Sequence, residues 1–276
     1  MRALQKDLKL AKEILEDGDD FYDFLGPDRL YLRSNEPLAF ILSQLDVSGQ
    51  DVLSVLGSSD QVFSFYYEGA NSVDAFDIHP LTEHYYYLRK WGLEHRGSSF
   101  VQGYSNRDLY TLLQEVAPQF ENEANSKVFW IHLLREYPGL MRSNLFFSSM
   151  DAGIVPYERD EVQLLSKISR EALTFFSQDF SKPFSTDRQY DIVFLSNIFD
   201  YVRGDKSRLE ICRDNLNCLL KSGGIAVLTH FMDSSMVRRN EMDVFSSSFD
   251  YIPGALRYSE ICQRPVESYY IYQKKR

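Results

Sequence analysis

Short apolar runs separated by small or polar residues organise this chain. Residues 51–56 form an apolar run too short for a helix, 57–60 interrupt it with small residues, and 61–68 continue as an apolar segment of helical character. A second run, 72–76, ends at Asp77. The pattern predicts a strand, a tight turn, a helix and a second strand that ends in an acidic residue.

The later part of the chain repeats the alternation of strand and helix. Residues 173–176 and 190–195 are predicted strands, and 207–220 has the spacing of an amphipathic helix. Residues 221–224 are the predicted glycine stop of that helix, and 225–231 the next strand. Strands that alternate with helices form parallel sheets covered by helices. We therefore predict an α/β fold with a doubly wound, mostly parallel sheet.

Two helical regions accompany the alternation. Residues 1–46 are predicted to be an N-terminal helical cover, because 4–15 carries apolar residues at helical spacing and 36–45 follows a capping residue, Ser34 or Asn35. The remaining chain, 47–276, is the predicted ligand-binding domain.

Residues 97–170 interrupt this domain as a helical insertion, with predicted helices at 108–116, 127–137 and 160–172. An insertion at this point of a doubly wound sheet lies near the ligand edge, so we assign it to substrate binding. A simple helical cap is the alternative.

The first turn and the second strand end have the features of a nucleoside site. Gly57, Ser58, Ser59 and Asp60 let a ligand approach the backbone, and Asp77 follows about 20 residues later, the spacing at which a carboxylate binds ribose hydroxyls. Polar residues at the end of the strand 190–195, Ser196 and Asn197, would lie at the same sheet edge. The alternative is that Asp60 caps a helix and Asp77 faces solvent in a loop.

Composition restricts the classes of partner and compartment. A net charge of −10 without clustered Lys and Arg argues against a general nucleic-acid binder. The three cysteines lack metal-ligand spacing and are expected to be reduced, which favours a cytoplasmic protein. No apolar run has the length of a membrane span, so no integral membrane segment is expected. No histidine pairing indicates a metal site.

The order of these motifs resembles a known family. The turn, the acidic strand end, "YDIVFLSNIFDYV", "LLKSGGIAVLTHF" and the aromatic strand "ESYYIYQKK" together resemble the Rossmann-type fold of class I S-adenosylmethionine-dependent transferases. In that family an antiparallel hairpin closes the sheet, and the segment from Tyr251 onwards could supply it. "LGSSDQ" and "FDIHP" are similar to the corresponding turn and strand end of the 3-amino-3-carboxypropyl transferases that build betaine lipids and of their uncharacterised relatives.

The resemblance implies S-adenosylmethionine as cofactor and a small molecule or lipid head group as acceptor. It implies contacts from the turn residues, from Asp77 and Ile78, and from Gln178 or Asp179, where such transferases bind the adenine amino group. The turn departs from the pattern of three spaced glycines, since only Gly57 is present. A serine can form the same turn if its φ stays negative. From its position and chemistry we assign Arg33 to the cofactor's carboxylate.

Transfer from a sulfonium needs orientation and, for a protonated acceptor, a base. Candidates at predicted strand ends are His79, Asp200, Tyr201 and His230, each with a structural alternative such as capping or packing.

Methyl transfer and 3-amino-3-carboxypropyl transfer both remain open, and the resemblance of the turn favours the latter. A cofactor-binding protein without catalysis is a further hypothesis. The missing glycines argue against a dehydrogenase.

Overall fold

The computed structural model describes residues 2–16, 30–31, 36–79, 81–97, 111, 113–119, 124–139, 147–148, 164, 168, 173–202, 205–230, 243–252 and 268–276. The strands in this part of the chain are β1 (Leu30–Tyr31), β2 (Asp51–Val55), β3 (Ser72–Asp77), β4 (Phe147–Ser148), β5 (Thr174–Ser177), β6 (Tyr190–Ser196), β7 (Leu220–His230), β8 (Phe249–Ile252) and β9 (Ser268–Lys274). The helices are α1 (Arg2–Glu16), α2 (Leu38–Leu42), α3 (Asp60–Tyr67), α4 (Leu81–Arg96), α5 (Ala124–Glu136), α6 (Ile198–Val202) and α7 (Lys206–Leu219).

The main sheet has seven strands in the order β5-β3-β2-β6-β7-β9-β8. The pairs from β5 to β7 are all parallel, and β9 runs antiparallel to both β7 and β8. The chain therefore moves outward from β2 to β5 and returns to β6, so the order reverses between β2 and β6. The mostly parallel sheet closed by an antiparallel strand pair confirms the prediction from the sequence.

Two hydrophobic clusters meet on the two sides of α4. One packs α2 and α3 against the sheet and includes Tyr86, which stacks on Phe63 with ring centroids 5.3 Å apart. The other joins α1, α4 and α5 and includes Tyr85 and Trp130. The N-terminal arm thus contributes α1 to the second cluster and α2 to the first. Fully burying a large apolar side chain stabilises the fold by about 1.5–3 kcal/mol, so α4 is held firmly from both sides.

A two-stranded parallel sheet, β1 with β4, joins the arm to the insertion through backbone hydrogen bonds. The sequence pattern does not predict this pairing, because two-residue strands have no hydrophobic period.

Two predicted boundaries are wrong. The glycine stop at 221–224 is not a loop, since α7 ends at Leu219 and β7 begins directly at Leu220. Gly223 has a φ of +78° within that strand, next to a register shift between Tyr190 and Ile192. The helix predicted at 36–45 extends only over Leu38–Leu42, and its first turn has no side-chain cap.

None of the described helices is both long and apolar enough to cross a membrane.

Candidate functional site

Asp77 lies at the carboxyl end of β3 and joins it to the turn after β2. Its Oδ2 accepts the Gly57 N–H at 3.0 Å, and its Oδ1 accepts the His79 N–H at 2.9 Å. Doubly wound proteins bind ligands at the carboxyl ends of their strands, at the point where the strand order reverses. The structure therefore brings together the glycine turn and the acidic strand end that the sequence predicts as partners.

The carboxyl group of Asp77 is nearly buried, with 9% of the residue exposed. Burial raises the pKa of Asp77 to about 6, and hydrogen bonds from the backbone N–H groups of His79, Gly57 and Ile78 oppose that rise. Asp77 therefore changes its charge within the physiological range of pH.

The turn between β2 and α3 contains a serine in a left-handed conformation. Ser59 has a φ of +74° and is fully buried. Its N–H donates a hydrogen bond to Leu56 O at 2.7 Å, which closes the turn. The condition under which a serine forms this turn easily, a negative φ, is not met at Ser59. A non-glycine residue in this region costs about 1–2 kcal/mol. Position 59 therefore has the backbone conformation that glycine favours, although its residue is a serine.

Ser59→Gly is expected to raise the free energy of unfolding by about 1 kcal/mol, because glycine adopts this φ without a Cβ clash. Urea denaturation of the purified variant measures it. Ser58→Gly is the control: Ser58 has no positive φ and its hydroxyl donates to Asp60 Oδ2 at 3.0 Å, so this variant should be less stable. A stability loss for Ser59→Gly would contradict the strain at this position.

Arg89 of α4 binds the turn between β2 and α3 through its side chain. Its guanidinium forms an ion pair with Asp60 at 2.8 Å and donates to Ser58 O, and both side chains are almost completely buried. Arg89 also lies over the ring of Phe63, 5.5 Å from its centroid. Sequence reasoning missed Arg89. The available signal was weak, because Arg89 is one of three polar residues, with Thr82 and His84, among the mostly apolar buried positions of α4.

Glu36 is the second residue that sequence reasoning missed. It is fully buried, accepts a hydrogen bond from Gln61 Nε2 at 2.9 Å through Oε2, and accepts another from Thr229 Oγ1 through Oε1. Thr229 in turn accepts the Asn197 N–H on both its carbonyl and its hydroxyl oxygen. Glu36 therefore connects the first turn of α3 with the ends of β6 and β7.

The ends of β6 and β7 bring further candidates together. Ser196 and Asn197 follow each other where β6 ends, and Asn197 has a φ of +51°. Asp200 in α6 and His230 at the end of β7 are both buried, with Asp200 Oδ1 3.6 Å from His230 Nδ1. A carboxylate beside an imidazole is an arrangement that can orient a proton acceptor.

The other two candidate bases, His79 and Tyr201, are not part of the pair formed by Asp200 and His230. His79 Nδ1 accepts the Leu81 N–H at 3.2 Å, so this histidine caps the start of α4, which is the structural alternative considered for it. Tyr201 is 42% exposed in α6.

Past the end of β5, Gln178 and Asp179 have mostly structural contacts. The Gln178 N–H donates to Asp77 O at 3.0 Å, and its Oε1 accepts the Ser185 N–H. Asp179 Oδ1 accepts both the N–H and the hydroxyl of Ser181 and thereby shapes the following turn. Ile78, which follows Asp77, exposes 53% of its surface.

Arg33, predicted to bind a carboxylate, lies outside the described residues. In the part of the chain that the structure describes, no group of three or more His, Cys, Asp or Glu side chains is arranged to hold a metal ion.

Comparisons by sequence find no match: neither a protein-family model nor a curated protein matches this chain. Comparison with solved structures finds many similar chains, of which three are described. The N-methyltransferase NodS from Bradyrhizobium japonicum WM9, in complex with S-adenosyl-L-homocysteine, is 10% identical, with 97% of each chain covered and a TM-score of 0.46. A TehB-like S-adenosylmethionine-dependent methyltransferase from Corynebacterium glutamicum ATCC 13032 is 11% identical, with 99% of each chain covered and a TM-score of 0.47.

The third structure is the glycopeptide N-methyltransferase MtfA, complexed with S-adenosyl-L-homocysteine. It is 12% identical, the match covers 93% of this chain and 96% of MtfA, and the TM-score is 0.48. The strand order of this chain, with the antiparallel β9 between β7 and β8, agrees with the Rossmann-type fold that the sequence resemblance implies.

Proposed function

We propose that this protein binds S-adenosylmethionine and transfers a group from it to a small molecule or a lipid head group. Asp77 carries this proposal. A nearly buried carboxylate at the end of the second strand of the sheet, bonded to the N–H of the glycine turn, is the arrangement that binds the hydroxyls of a ribose. Ile78, exposed next to it, offers an apolar surface for the adenine ring.

Two observations favour a sulfonium nucleoside over a dinucleotide. The dinucleotide-binding sheet has six strands in the order 3-2-1-4-5-6, whereas here the antiparallel β9 lies between β7 and β8. The turn also carries Ser58 and Ser59 at positions where a pyrophosphate needs glycine for close approach. Both features are compatible with a ligand that brings no phosphate to the turn.

Arg33 remains our prediction for the group that binds the cofactor's carboxylate. Arg33→Ala is expected to weaken S-adenosylhomocysteine binding about tenfold, equivalent to about 1.4 kcal/mol, because a bidentate guanidinium contact is lost. Calorimetric titration measures this. An unchanged affinity would remove Arg33 from the site.

The reaction follows from the electronic structure of the sulfonium. A lone pair of the acceptor attacks a carbon bonded to sulfur, the C–S bond breaks, and its electron pair neutralises the sulfur as a thioether. If the acceptor is protonated, its proton moves to a base, and His230, whose Nδ1 lies 3.6 Å from Asp200 Oδ1, is our candidate.

Which carbon reacts decides between the two reactions. Attack on the methyl carbon leaves S-adenosylhomocysteine, whereas attack on the γ-carbon of the amino-acid chain leaves methylthioadenosine. The pose of the cofactor sets this choice, and both reactions use the same ribose site. The runner-up function is a non-catalytic S-adenosylmethionine-binding protein.

Calorimetry with S-adenosylmethionine, S-adenosylhomocysteine, methylthioadenosine and NADH tests the cofactor class. We expect micromolar binding of the first two and no binding of NADH. Incubation of the protein and a cell extract with S-adenosylmethionine labelled in either the methyl or the carboxyl group then identifies the transferred group. Binding without label transfer to any extract component would favour the non-catalytic function, and absence of all binding would reject the cofactor.

A further inference from the structure

Two large apolar side chains are exposed on the outer face of α5. Val128 is 51% exposed and Ile131 is 37% exposed. They are three residues apart and therefore occupy the same face of the helix. The opposite face, with Phe129, Trp130 and Leu133, packs into the hydrophobic cluster of α1, α4 and α5. Helix α5 thus carries apolar residues both on the face that packs and on the face that is exposed.

Basic side chains flank these two residues on α5. Arg135 lies one turn beyond Ile131 on the same face, and its side chain is 82% exposed. Lys127 precedes Val128 and is half-buried. The outer face of α5 therefore combines aliphatic side chains with long cationic ones.

Helix α1 extends this surface, because it packs beside α5 in the same hydrophobic cluster. Lys6 and Lys9 are exposed, the side chain of Lys9 to 77%. Asp7 is turned inward instead, with its Oδ2 3.4 Å from Nε2 of the buried His84. The inward position of Asp7 removes an acidic group from the surface of α1 and leaves the lysines there.

The outer surface of α1 and α5 is basic, although the chain as a whole has a net charge of −10. Apart from the inward Asp7, the charged side chains described on the two helices are five basic and two acidic ones. They are Lys6, Lys9, Lys12, Lys127 and Arg135 against Glu13 and Glu136. We call this surface the basic face. A local excess of positive charge on an acidic protein favours an anionic partner, and salt weakens such an attraction.

We propose that the basic face docks on an anionic lipid membrane. Val128 and Ile131 would enter the boundary between head groups and acyl chains, while the flanking lysines and Arg135 reach the anionic head groups. A protein partner would favour aromatic anchors, whereas the exposed apolar residues of α5 are aliphatic. The inference does not depend on the cofactor. Because α5 belongs to the insertion that we assign to substrate binding, docking would favour a lipid head group as the acceptor.

Cosedimentation of the purified protein with lipid vesicles tests the proposal. We expect binding to vesicles of phosphatidylcholine and phosphatidylserine, at about 7:3, to be at least tenfold tighter than to phosphatidylcholine alone. Binding should be lost in about 1 M sodium chloride, where the Debye length is about 3 Å. Absence of binding to both vesicles would overturn the proposal and leave cofactor binding, measured by calorimetry, unaffected. Retention on immobilised polyglutamate without vesicle binding would also overturn it, in favour of an acidic protein partner.

Matched surface variants locate the binding on the basic face. Ile131→Ser should weaken vesicle binding about threefold and Arg135→Glu about fivefold, because the first removes an inserted side chain and the second reverses a charge. The controls are Ile252→Ser in β8, where the isoleucine is 36% exposed, and Lys206→Glu at the exposed start of α7. Both controls should weaken binding less than twofold.

Two results with these variants would contradict the assignment. Equal weakening by the controls would mean that another surface, or the overall charge, attracts the vesicles. Weakening by Arg135→Glu but not by Ile131→Ser would mean that the protein is attracted by charge without insertion of α5. All four side chains are at the surface, so the variants should retain the far-UV circular dichroism of the wild type.

Discussion

Replacing Arg89 by Met is expected to lower the free energy of unfolding by about 3–5 kcal/mol. Asp60 and Arg89 are almost completely buried, and removal of the guanidinium leaves the Asp60 carboxylate buried without its cation. The variant also removes the hydrogen bond that the Arg89 guanidinium donates to Ser58 O in the turn. Guanidinium chloride denaturation followed by far-UV circular dichroism measures the loss.

Arg96→Ala is the matched control, because Arg96 lies on the same helix but pairs with Glu115 at the surface. Surface pairs contribute about 0–1 kcal/mol, so this variant should be nearly as stable as the wild type. Adding Asp60→Asn to Arg89→Met should recover part of the stability, since the buried charge is removed. A loss of stability for Arg89→Met no larger than that of Arg96→Ala would mean that the ion pair between Arg89 and Asp60 does not stabilise the turn.

Asp77→Ala is expected to weaken binding of S-adenosylhomocysteine at least 100-fold at pH 8. The ionised carboxylate would accept two ribose hydroxyls, and hydrogen bonds to charged groups contribute about 1.5–3 kcal/mol each. Because the alanine also leaves the N–H groups of Gly57 and His79 without their acceptor, Asp77→Asn serves as the second variant and retains one acceptor oxygen. Affinity equal to that of the wild type in both variants would remove Asp77 from the site.

The same residue predicts a pH dependence of binding. With a pKa of about 6 in the free protein, Asp77 is ionised at pH 8 and mostly protonated at pH 5. A ligand that needs the ionised form should therefore bind about tenfold more weakly at pH 5, with the change centred near pH 6. Asp77→Asn should show no such change.

The stability of the ligand-free protein should change in the opposite direction. The folded-state pKa of Asp77 lies above its unfolded value, so ionisation of this carboxyl costs folding free energy, and its contribution declines as the pH rises from about 4 to about 6. The difference in stability between wild type and Asp77→Asn isolates this contribution.

Strands buried on both faces could be predicted from the sequence. Residues 192–195 of β6 are continuously apolar and buried, and the buried interior of β2 has Ser54 as its one polar residue; such runs, bounded by small or polar residues, have few alternatives. Asp77 could be placed at the ligand edge for the same reason, since its position is fixed by the end of β3. The boundary between α7 and β7 could not, because Gly223 and Gly224 have the composition of a loop but lie within a strand.

The contacts that hold the site could not be predicted because they join residues far apart in the chain. Arg89 is 31 residues from Ser58, and Glu36 is 193 residues from Thr229. Local patterns give the face of a helix but not the element that packs against it. The positive φ of Ser59 could not be predicted from the sequence either, because it depends on the contacts of the turn and not on the preference of serine alone.

The contacts of Arg89 with Asp60 and Ser58 decide how the turn after β2 could be transplanted. In a glycine-rich turn, the permitted conformation belongs to the residues of the turn, so a short peptide carries it from one protein to another. Here the turn depends on Arg89, and α4 is itself held between two hydrophobic clusters. A graft of 56–60 alone would therefore lack the support that gives the turn its shape, and a graft that includes α4 would also need the elements that pack against α4.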